Sequence, residues 1–320
     1  MKRPRVGLIG ARRRRQGLGP FVARDLLAAG AEVPCFLATS EQTREAAARA
    51  LFELCGLETR GYLDLDEMLA REELDALAIL SPAECHAEHL EAALRGGVDV
   101  LCEKPFVWEV PDLTERTREL VDAIETQGRV LWENCQWPYT LPAFEALHPG
   151  ALAAPPRRFE MEMQPASRGL RSLADSMPHP LSLLQALVPD PEARVEDVCF
   201  STRDPASATQ TVRFRYCCAG HDVASEVRLE QNEKPPRRAA FALDGHRARR
   251  LVSPEDYRLS FVDANRSVPV PDPLALLIAD FVAALGDTPG KGRRTRGREI
   301  SQRMQLLADI ASAYQDEGAQ

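Results

Sequence analysis

The stretch that decides the fold is ALAILSPAECHAEHLEAALRGGVDVLCEKP, which occupies residues 76–105. Its first five residues, 76–80, form an apolar run that predicts a strand. Residues 83–95 carry apolar side chains at helical spacing and end at Gly96-Gly97, which predicts a helix with a glycine stop. Residues 98–102 predict a second strand. Two apolar strands joined by a helix indicate a parallel sheet that is buried on both faces.

The same alternation of strand and helix extends to both sides of this unit. Further strands are predicted at residues 5–10, 32–38 and 128–134, and further helices at 21–29, 42–55 and 111–126. We therefore expect residues 1–137 to form an α/β domain, a doubly wound parallel sheet of the Rossmann type.

The sequence pattern changes near Pro138. Beyond it, several segments alternate apolar and polar residues, namely 159–163, 210–216, 222–229 and 239–243. This alternation predicts antiparallel strands with one wet face. Helices are predicted at 182–187, 273–285 and 298–314. Residues 138–320 should thus form an α+β domain with a mainly antiparallel open sheet.

The composition excludes several classes of protein. The chain has 320 residues, 44% of them hydrophobic, and a formal net charge of -8, so nucleic acid is not expected as a partner. No apolar run approaches the ~18 residues of a membrane-spanning helix, and the first residues do not resemble a signal peptide. We expect a cytoplasmic protein with no membrane partner. The eight cysteines lack a repeated spacing, which argues against a disulfide framework.

One group of residues has the composition of a metal site. Cys217-Cys218-Ala219-Gly220-His221 lies at the end of a predicted strand. No further Cys or His stands at a spacing that is usual for zinc, so we expect no metal.

The loop after the first predicted strand is a candidate phosphate site. A glycine-rich turn between a strand and a helix binds phosphate in dinucleotide sites, usually with the spacing G-x-G-x-x-G. Here the second and third glycine positions are occupied by Arg12 and Arg15, and a second segment, Gly17-Leu-Gly, leads into the helix. The loop is longer and more basic than usual and can still hold a pyrophosphate. The candidate contacts are Gly10, Arg12, Arg13 and Gly17.

The end of the second predicted strand bears on the choice of cofactor. An acidic residue there binds the adenosine ribose of NAD. This chain has Thr39 and Ser40 instead, with no acid before Glu41, and arginines stand in the neighbouring loop. Hydroxyl groups and guanidinium groups suit a 2'-phosphate, so the sequence favours NADP over NAD. Alternatively, Thr39 and Ser40 only cap the helix that follows.

A lysine marks the end of the strand at 98–102. The chain has only four lysines among its 40 basic residues, and one of them, Lys104, stands in Glu103-Lys104-Pro105 at the sheet edge where ligands bind. The same tripeptide recurs at residues 233–235, but there it lies in a polar stretch that is typical of an exposed turn. A lysine beside a nicotinamide can bind a substrate hydroxyl and favour the alkoxide that forms as hydride leaves.

A carboxylate and an imidazole are paired in the second domain. Asp175 and His179 stand at i and i+4 in Asp-Ser-Met-Pro-His, a spacing that places both on one side of a helical turn. Histidine suits proton exchange near neutral pH. Alternatively, Asp175 is a helix cap and His179 is a core residue whose polar atoms are satisfied.

Taken in order along the chain, these motifs resemble those of the glucose-fructose oxidoreductase, inositol dehydrogenase and MocA family. The motifs are the first-strand glycine, Ser81-Pro82-Ala-Glu-Cys-His86, Glu103-Lys104-Pro105, and the pair Asp175 and His179. The resemblance implies that Lys104 contacts substrate and nicotinamide, and that Asp175 and His179 lie in the substrate site. It implies cofactor contacts for Ser81, Pro82, His86 and Glu103, and a homodimer or homotetramer formed through the C-terminal sheet.

The chain departs from the family pattern after the strand at 128–134. The segment Asn134-Cys135-Gln136-Trp137-Pro138-Tyr139 replaces an R-x-x-P-type motif, which suggests an altered substrate pocket. Trp137 either stacks on a sugar or packs at the domain hinge. We expect an NADP(H)- or NAD(H)-dependent oxidoreductase that acts on a secondary alcohol or ketone of a sugar, cyclitol or polyol. A non-catalytic sensor that binds a dinucleotide is the alternative.

Overall fold

The computed structural model describes residues 3–12, 17–253, 258–286 and 295–316. The fold divides into two compact units. The first contains residues 1–134 and 274–301, and the second contains residues 135–273 and 302–320. The sequence pattern predicts that everything after residue 137 belongs to the second domain, whereas residues 274–286 and 295–301 belong to the first unit.

A six-stranded parallel sheet forms the centre of the first unit. Its strands are β1 (Val6–Ile9), β2 (Cys35–Leu37), β3 (Arg60–Tyr62), β4 (Ala76–Ile79), β5 (Asp99–Cys102) and β6 (Leu131–Glu133), in the order β3-β2-β1-β4-β5-β6. The central strands β1, β4 and β5 are buried along their whole length. This arrangement confirms the predicted doubly wound sheet.

Helices connect these strands in sequence. They are α1 (Gly19–Ala28), α2 (Glu41–Cys55), α3 (Leu65–Arg71), α4 (His86–Gly96) and α5 (Leu113–Thr126). A short 3₁₀ helix, Ala83–Cys85, precedes α4, so the helix predicted for 83–95 begins with a tighter turn. Gly97 ends α4 in the left-handed conformation, with φ +60°, as the glycine stop predicts.

The chain returns to the first unit through α9 (Pro273–Leu285). Phe281 of this helix packs edge-on against Trp132 of β6, with ring centroids 6.2 Å apart. Further along, Arg296 N–H donates to Leu131 O at 2.9 Å, and the Arg296 guanidinium lies 4.0 Å from the centre of the Trp132 ring. The segment therefore covers the free edge of β6, which would otherwise expose unpaired backbone groups and an apolar side chain.

The second unit is built on an eight-stranded sheet with the order β14-β13-β12-β11-β7-β10-β9-β8. The strands are β7 (Arg158–Met163), β8 (Arg194–Phe200), β9 (Thr209–Cys218), β10 (His221–Glu230), β11 (Ala239–Leu243), β12 (His246–Val252), β13 (Leu259–Val262) and β14 (Ser267–Val270). All neighbouring pairs are antiparallel except β7 and β10, which run parallel. The mainly antiparallel sheet was predicted.

The helices of the second unit are α6 (Leu141–Leu147), α7 (Gly169–Ser176) and α8 (Pro178–Leu187), together with the later part of α10 (Gly297–Asp316). The inward face of the sheet is mainly apolar and includes Phe159, Phe241 and Phe261. The outward face carries Arg–Glu ion pairs across and along the strands. The homo-oligomer expected through this sheet stays a prediction. Within the described part of the chain, no helix is long and apolar enough to span a bilayer.

Candidate active site

The turn after β1 is held by two glycines that allow close backbone contact. Gly10 has φ +89°, and a Cβ there would lie 2.5 Å from Leu80 O. A Cβ on Gly19, the first residue of α1, would lie 2.6 Å from the Cα of Ala11. Close packing of helix on strand is the role of the third glycine in the usual dinucleotide pattern. Gly19 thus allows this close packing, although the G-x-G-x-x-G spacing puts Arg15 and not Gly19 at the third glycine position.

The first turn of α1 differs from those of the neighbouring helices. Its N-cap, Leu18, makes no side-chain cap, and the first turn contains no acidic residue. By contrast, α2, α3 and α5 are capped by Ser40, Asp64 and Asp112. Uncapped N–H groups at a helix start favour an anion. The turn and the helix start together fit the pyrophosphate of a dinucleotide.

Two of the predicted phosphate contacts lie in the described part of this loop. Arg12 follows the turn at Gly10-Ala11, and Gly17 lies just before α1. Arg13 falls outside the described residues.

The hydroxyl groups after β2 have local partners. Ser40 Oγ accepts a hydrogen bond from Thr43 N–H at 3.2 Å, and Thr43 Oγ1 in turn accepts from Ser40 N–H at 2.9 Å, which is a capping box. Thr39 N–H also donates to Thr43 Oγ1. The nearest acid, Glu41, forms an ion pair with Arg44. Ser40 therefore caps α2, whereas a contact of Thr39 or Ser40 with a 2'-phosphate stays a prediction, and no acid stands at the end of β2.

His86 links the loops that follow β4 and β5. Its side chain is buried, with Nε2 2.8 Å from Ser81 O and Nδ1 2.9 Å from Pro105 O. Carbonyl oxygens only accept hydrogen bonds, so an N–H of the imidazole is the donor at such a contact. Both ring nitrogens are occupied by backbone. His86 therefore connects the loops of Ser81-Pro82 and Lys104-Pro105, and its predicted contact with the cofactor stays a prediction.

Glu103 and Lys104 follow β5 directly. Burial raises the pKa of the Glu103 carboxyl, and the positive charge of Lys104 and a hydrogen bond from Asn134 partly oppose this shift. Asn134 Nδ2 is the donor of that bond, to Glu103 Oε1. The Lys104–Pro105 peptide bond is cis. The first unit thus brings together Ser81, His86, Glu103 and Lys104 at the carboxyl ends of β4 and β5.

In the second unit, Asp175 and His179 lie on two consecutive helices. Asp175 stands in the last turn of α7 and His179 in the first turn of α8, with Met177 between them in helical conformation. Asp175 accepts a hydrogen bond from Ser167 Oγ. It lies inside a helix, so the alternative that it is an N-terminal cap is wrong. Pro178 begins α8, as its preference for the first helical turn predicts.

Trp137 lies beside His179. The two rings meet edge-on with centroids 6.3 Å apart, and Trp137 also packs at right angles on Phe241 of β11. Only 5% of Trp137 is exposed. Trp137 therefore packs between the sheet and the first turn of α8.

Two arginines near these residues were not identified from the sequence. Arg250 of β12 lies with its guanidinium carbon 5.4 Å from the centre of the Trp137 ring, and its Nη2 donates to Arg237 O at 3.1 Å. Burial lowers the pKa of the Arg237 guanidinium, and the negative charge of Asp175 opposes this shift. In the sequence, the three arginines of β12 are typical of a solvent-exposed strand face, namely Arg247, Arg249 and Arg250. Only the pairing of β12 with β11 and β13 reveals that Arg250 points inward.

Part of the chain is similar in sequence to known oxidoreductases. Residues 4–135 match the profile of the oxidoreductase family with an NAD-binding Rossmann fold. Over 127 residues the chain is 32% identical to scyllo-inositol 2-dehydrogenase (NADP(+)) of Bacillus subtilis. This alignment covers 40% of this chain and 37% of that protein. Over 188 residues it is 30% identical to UDP-N-acetylglucosamine 3-dehydrogenase of Acidithiobacillus ferrooxidans, covering 56% of this chain and 52% of the other. These alignments span about half or less of the relatives' length.

Solved structures match the fold over nearly the whole chain. The UDP-N-acetylglucosamine 3-dehydrogenase of A. ferrooxidans superposes with a TM-score of 0.68 at 23% identity, covering 98% of each chain. The myo-inositol 2-dehydrogenase of Lactobacillus plantarum gives a TM-score of 0.72 at 16% identity, covering 99% of this chain and 98% of the other. At these identities the likeness concerns the fold alone. Residues 4–135 thus match the oxidoreductase family with an NAD-binding Rossmann fold, the glucose-fructose oxidoreductase, inositol dehydrogenase and MocA family, and the structural likeness of the whole chain extends to the fold of such proteins.

Proposed function

We propose that the chain is an NADP(H)-dependent oxidoreductase acting on a secondary alcohol, or the matching ketone, of a sugar, cyclitol or related polyol. The observation that carries this proposal is the turn at Gly10 and Gly19 together with the uncapped start of α1. A helix start without a side-chain cap, next to a close glycine turn, is a typical binding place for a dinucleotide phosphate. The relatives named above are an inositol dehydrogenase and a sugar-nucleotide dehydrogenase, which supports the substrate class.

The preference for NADP rests on the end of β2. Glu41 is the first acid there and is paired with Arg44, while Thr39 is exposed and Arg12 belongs to the neighbouring loop. A 2'-phosphate is bound well by guanidinium and hydroxyl groups. The B. subtilis relative is named as NADP-dependent, which agrees with this preference.

Each proposed site residue has a separate chemical role. When bound, the nicotinamide dinucleotide supplies the hydride donor or acceptor for the carbinol carbon. Lys104 binds the substrate oxygen, and its positive charge favours the alkoxide over the alcohol. His179 exchanges the hydroxyl proton. Asp175 is a positioning residue for His179, and Trp137 contributes an apolar surface to the substrate site.

The test begins with cofactor binding and turnover by the full chain. NADPH and NADH are titrated by fluorescence, and a panel of polyols and sugars is screened at 340 nm. We expect NADPH to bind and at least one polyol to turn over. Lys104→Met should lower turnover about 100-fold or more, because its charge no longer stabilises the alkoxide. Lys234→Met is the matched control, since Lys234 lies in the same tripeptide in an exposed turn.

The result also separates the enzyme from a sensor. Binding of NADPH without turnover anywhere in the panel, and without any effect of Lys104→Met, would favour a non-catalytic dinucleotide sensor. If neither nucleotide binds, both functions are wrong.

The cofactor preference has its own test. Arg12→Ala should weaken NADPH binding more than NADH binding, because only NADPH carries the 2'-phosphate. Equal losses for the two nucleotides would overturn the preference for NADP.

A further inference from the structure

We infer that Arg250 and Arg237 form a subsite for an oxyanion, so that the substrate carries a carboxylate or phosphate group in addition to its hydroxyls. The subsite lies within the second unit, beside Trp137 and the helices of Asp175 and His179. The claim that the bound anion belongs to the substrate rests on the proposed function. The claim that the subsite binds an anion is independent of it.

The placement of Arg250 is unusual for an arginine. It stands on the inward face of the eight-stranded sheet, directly opposite Ala239 on β11 and Phe261 on β13. The neighbouring inward positions are apolar, including Phe241 and Ala248, both 1% exposed or less. A charge on such a surface costs free energy unless it is paired. Burial accordingly lowers the pKa of Arg250.

The protein itself satisfies this guanidinium only in part. Arg250 donates one hydrogen bond, to Arg237 O, and lies near the Trp137 ring. Its Nε is buried without a hydrogen-bond partner, and within the described ranges no carboxylate lies within 4.0 Å of it. The outward arginines of the same sheet differ, because Arg213 and Arg247 are paired with Glu226 and Glu162. The inward arginine therefore lacks the anion that the outward ones have.

Arg237 adds a second guanidinium with the same property. Its Nε is also buried without a hydrogen-bond partner, and burial lowers its pKa, with the charge of Asp175 opposing the shift. Its backbone oxygen accepts the hydrogen bond from Arg250, so the two residues are adjacent. A guanidinium group with an unused N–H donor favours a planar or tetrahedral oxyanion, and Arg250 and Arg237 each have such a donor.

A cavity gives a ligand access to Arg250. Its space is about 450 Å³, a volume that includes its open mouth, and Arg250 lines it with Gln136, Trp137, Thr140 and Asp272. Gln136 and Thr140 can bond sugar hydroxyls, and the exposed carboxylate of Asp272 can accept from them. The cavity thus combines polar groups for a hydroxylated ligand with one buried cation. A sugar acid or a sugar phosphate has this combination of groups.

Matched sugars test the subsite on the full chain. We propose calorimetric titration with D-glucose, D-glucuronate and D-glucose 6-phosphate, and with inorganic phosphate, both with and without NADP+. At least one charged sugar should bind about 10-fold or more tightly than glucose, since charge-assisted bonds replace bonds to water. The preferred probe distinguishes a carboxylate from a phosphate ligand. Binding of inorganic phosphate that depends on Arg250 also supports the subsite.

Substitutions locate the effect. Arg250→Met should abolish the preference for the charged sugar, and Arg250→Lys should keep only part of it because the guanidinium fork is lost. Arg249→Met is the matched control, since Arg249 is the exposed neighbour on the same strand and should bind as the wild type does. Circular dichroism verifies folding. If Arg250→Met does not fold, Arg250→Lys and Arg237→Gln carry the test.

The inference is wrong if charged and neutral sugars bind alike, or if the folded Arg250 and Arg237 variants keep the full preference. This failure is distinct from failure of the proposed function. NADPH binding with turnover of neutral polyols would preserve the function and discard the subsite. Binding of a charged sugar that depends on Arg250, without any binding of NADPH, would preserve the subsite and discard the function.

Discussion

His86 illustrates how a single side chain can position two loops of a site. Its contacts to Ser81 O and Pro105 O connect the segments that carry the proposed cofactor contacts and Lys104. We expect His86→Ala to cost about 1–3 kcal/mol of stability, because a buried carbonyl loses its hydrogen-bond donor. NADPH affinity should fall as well, because the loops lose their common anchor.

The control for His86 is a histidine with a similar bond in the other unit. His221 Nε2 lies 2.8 Å from Pro156 O. His221→Ala should lower the thermal midpoint and leave the NADPH dissociation constant unchanged. Equal NADPH affinity of His86→Ala and wild type would show that His86 stabilises the fold only.

Glu103 predicts a pH dependence with a definite sign. Burial raises its pKa in the folded protein above the ordinary value of 4.5, so the folded state retains this proton longer than the unfolded chain. Stability from this group is therefore greatest below pH 4.5 and declines as the pH rises from there through the folded pKa. Glu103→Gln removes the titration. The thermal midpoint of Glu103→Gln should thus rise relative to wild type as the pH is raised.

The comparison for Glu103 uses a carboxylate on an exposed helix face. Glu53→Gln on α2 changes charge by the same amount at an exposed position. Thermal midpoints of wild type and both variants are measured from pH 4.5 to pH 8, starting at the ordinary value of the Glu103 pKa. A parallel pH dependence of the Glu103→Gln and wild-type midpoints would contradict the assigned shift.

At the level of elements, the contact between α1 and the turn after β1 is the steric basis of the phosphate site. A Cβ at Gly19 would approach Gly10 O at 2.7 Å, as well as Ala11. Gly19→Ala must therefore displace α1 from the turn, and we expect a loss of about 1–3 kcal/mol in stability and at least 10-fold in NADPH affinity.

A second glycine gives the control for this steric effect. Gly286 follows α9 in the same unit, and the nearest atom to its added Cβ would lie 3.4 Å away, on Ala283 O. Gly286→Ala should change stability by less than about 0.5 kcal/mol, as at most surface sites. Thermal melts and NADPH titration measure both variants. Unchanged NADPH affinity in Gly19→Ala would remove this turn from the cofactor site.

The elements that sequence predicts well are those whose pattern is local. The unit β4-α4-β5 follows from two apolar runs and the stop at Gly97. Boundaries shift where a single residue interrupts pairing: Pro34 has no N–H, and β2 begins only at Cys35. Helix α7 was not predicted, although Leu170, Leu173 and Ala174 stand at helical spacing within its eight residues.

Local sequence patterns do not predict the site residues and packing contacts that depend on how strands and helices pair in the fold. Lys104 and His86 stand next to recognisable strand ends, so their importance follows from position in the chain. The inward direction of Arg250 follows from its register with Ala239 and Phe261 on the strands immediately before and after β12, and the run of arginines in β12 does not reveal that register. The packing of Phe281 on Trp132 is a contact between distant segments, and no local pattern predicts it.

For the whole molecule, the return of residues 274–301 makes the first unit depend on a segment from beyond the second. Phe281 is fully buried and contacts Trp132, which is 2% exposed. Phe281→Ala should cost about 3–5 kcal/mol, the usual range for removal of a buried phenylalanine. Hydrogen exchange measured by mass spectrometry should then show lost protection in β6, α5 and α9.

Hydrogen exchange in a variant of the eight-stranded sheet provides the control for Phe281→Ala. Phe159 of β7 is also fully buried, so Phe159→Ala removes a similar apolar side chain from the second unit. Its loss of protection should concentrate in β7 and the strands that pair with it, β10 and β11. Identical exchange patterns for the two variants would mean that the units unfold as one, and the division at residues 134 and 274 would then have no energetic counterpart. Distinct patterns would show that the packing of Phe281 of α9 on Trp132 of β6 stabilises the sheet that carries Lys104 locally.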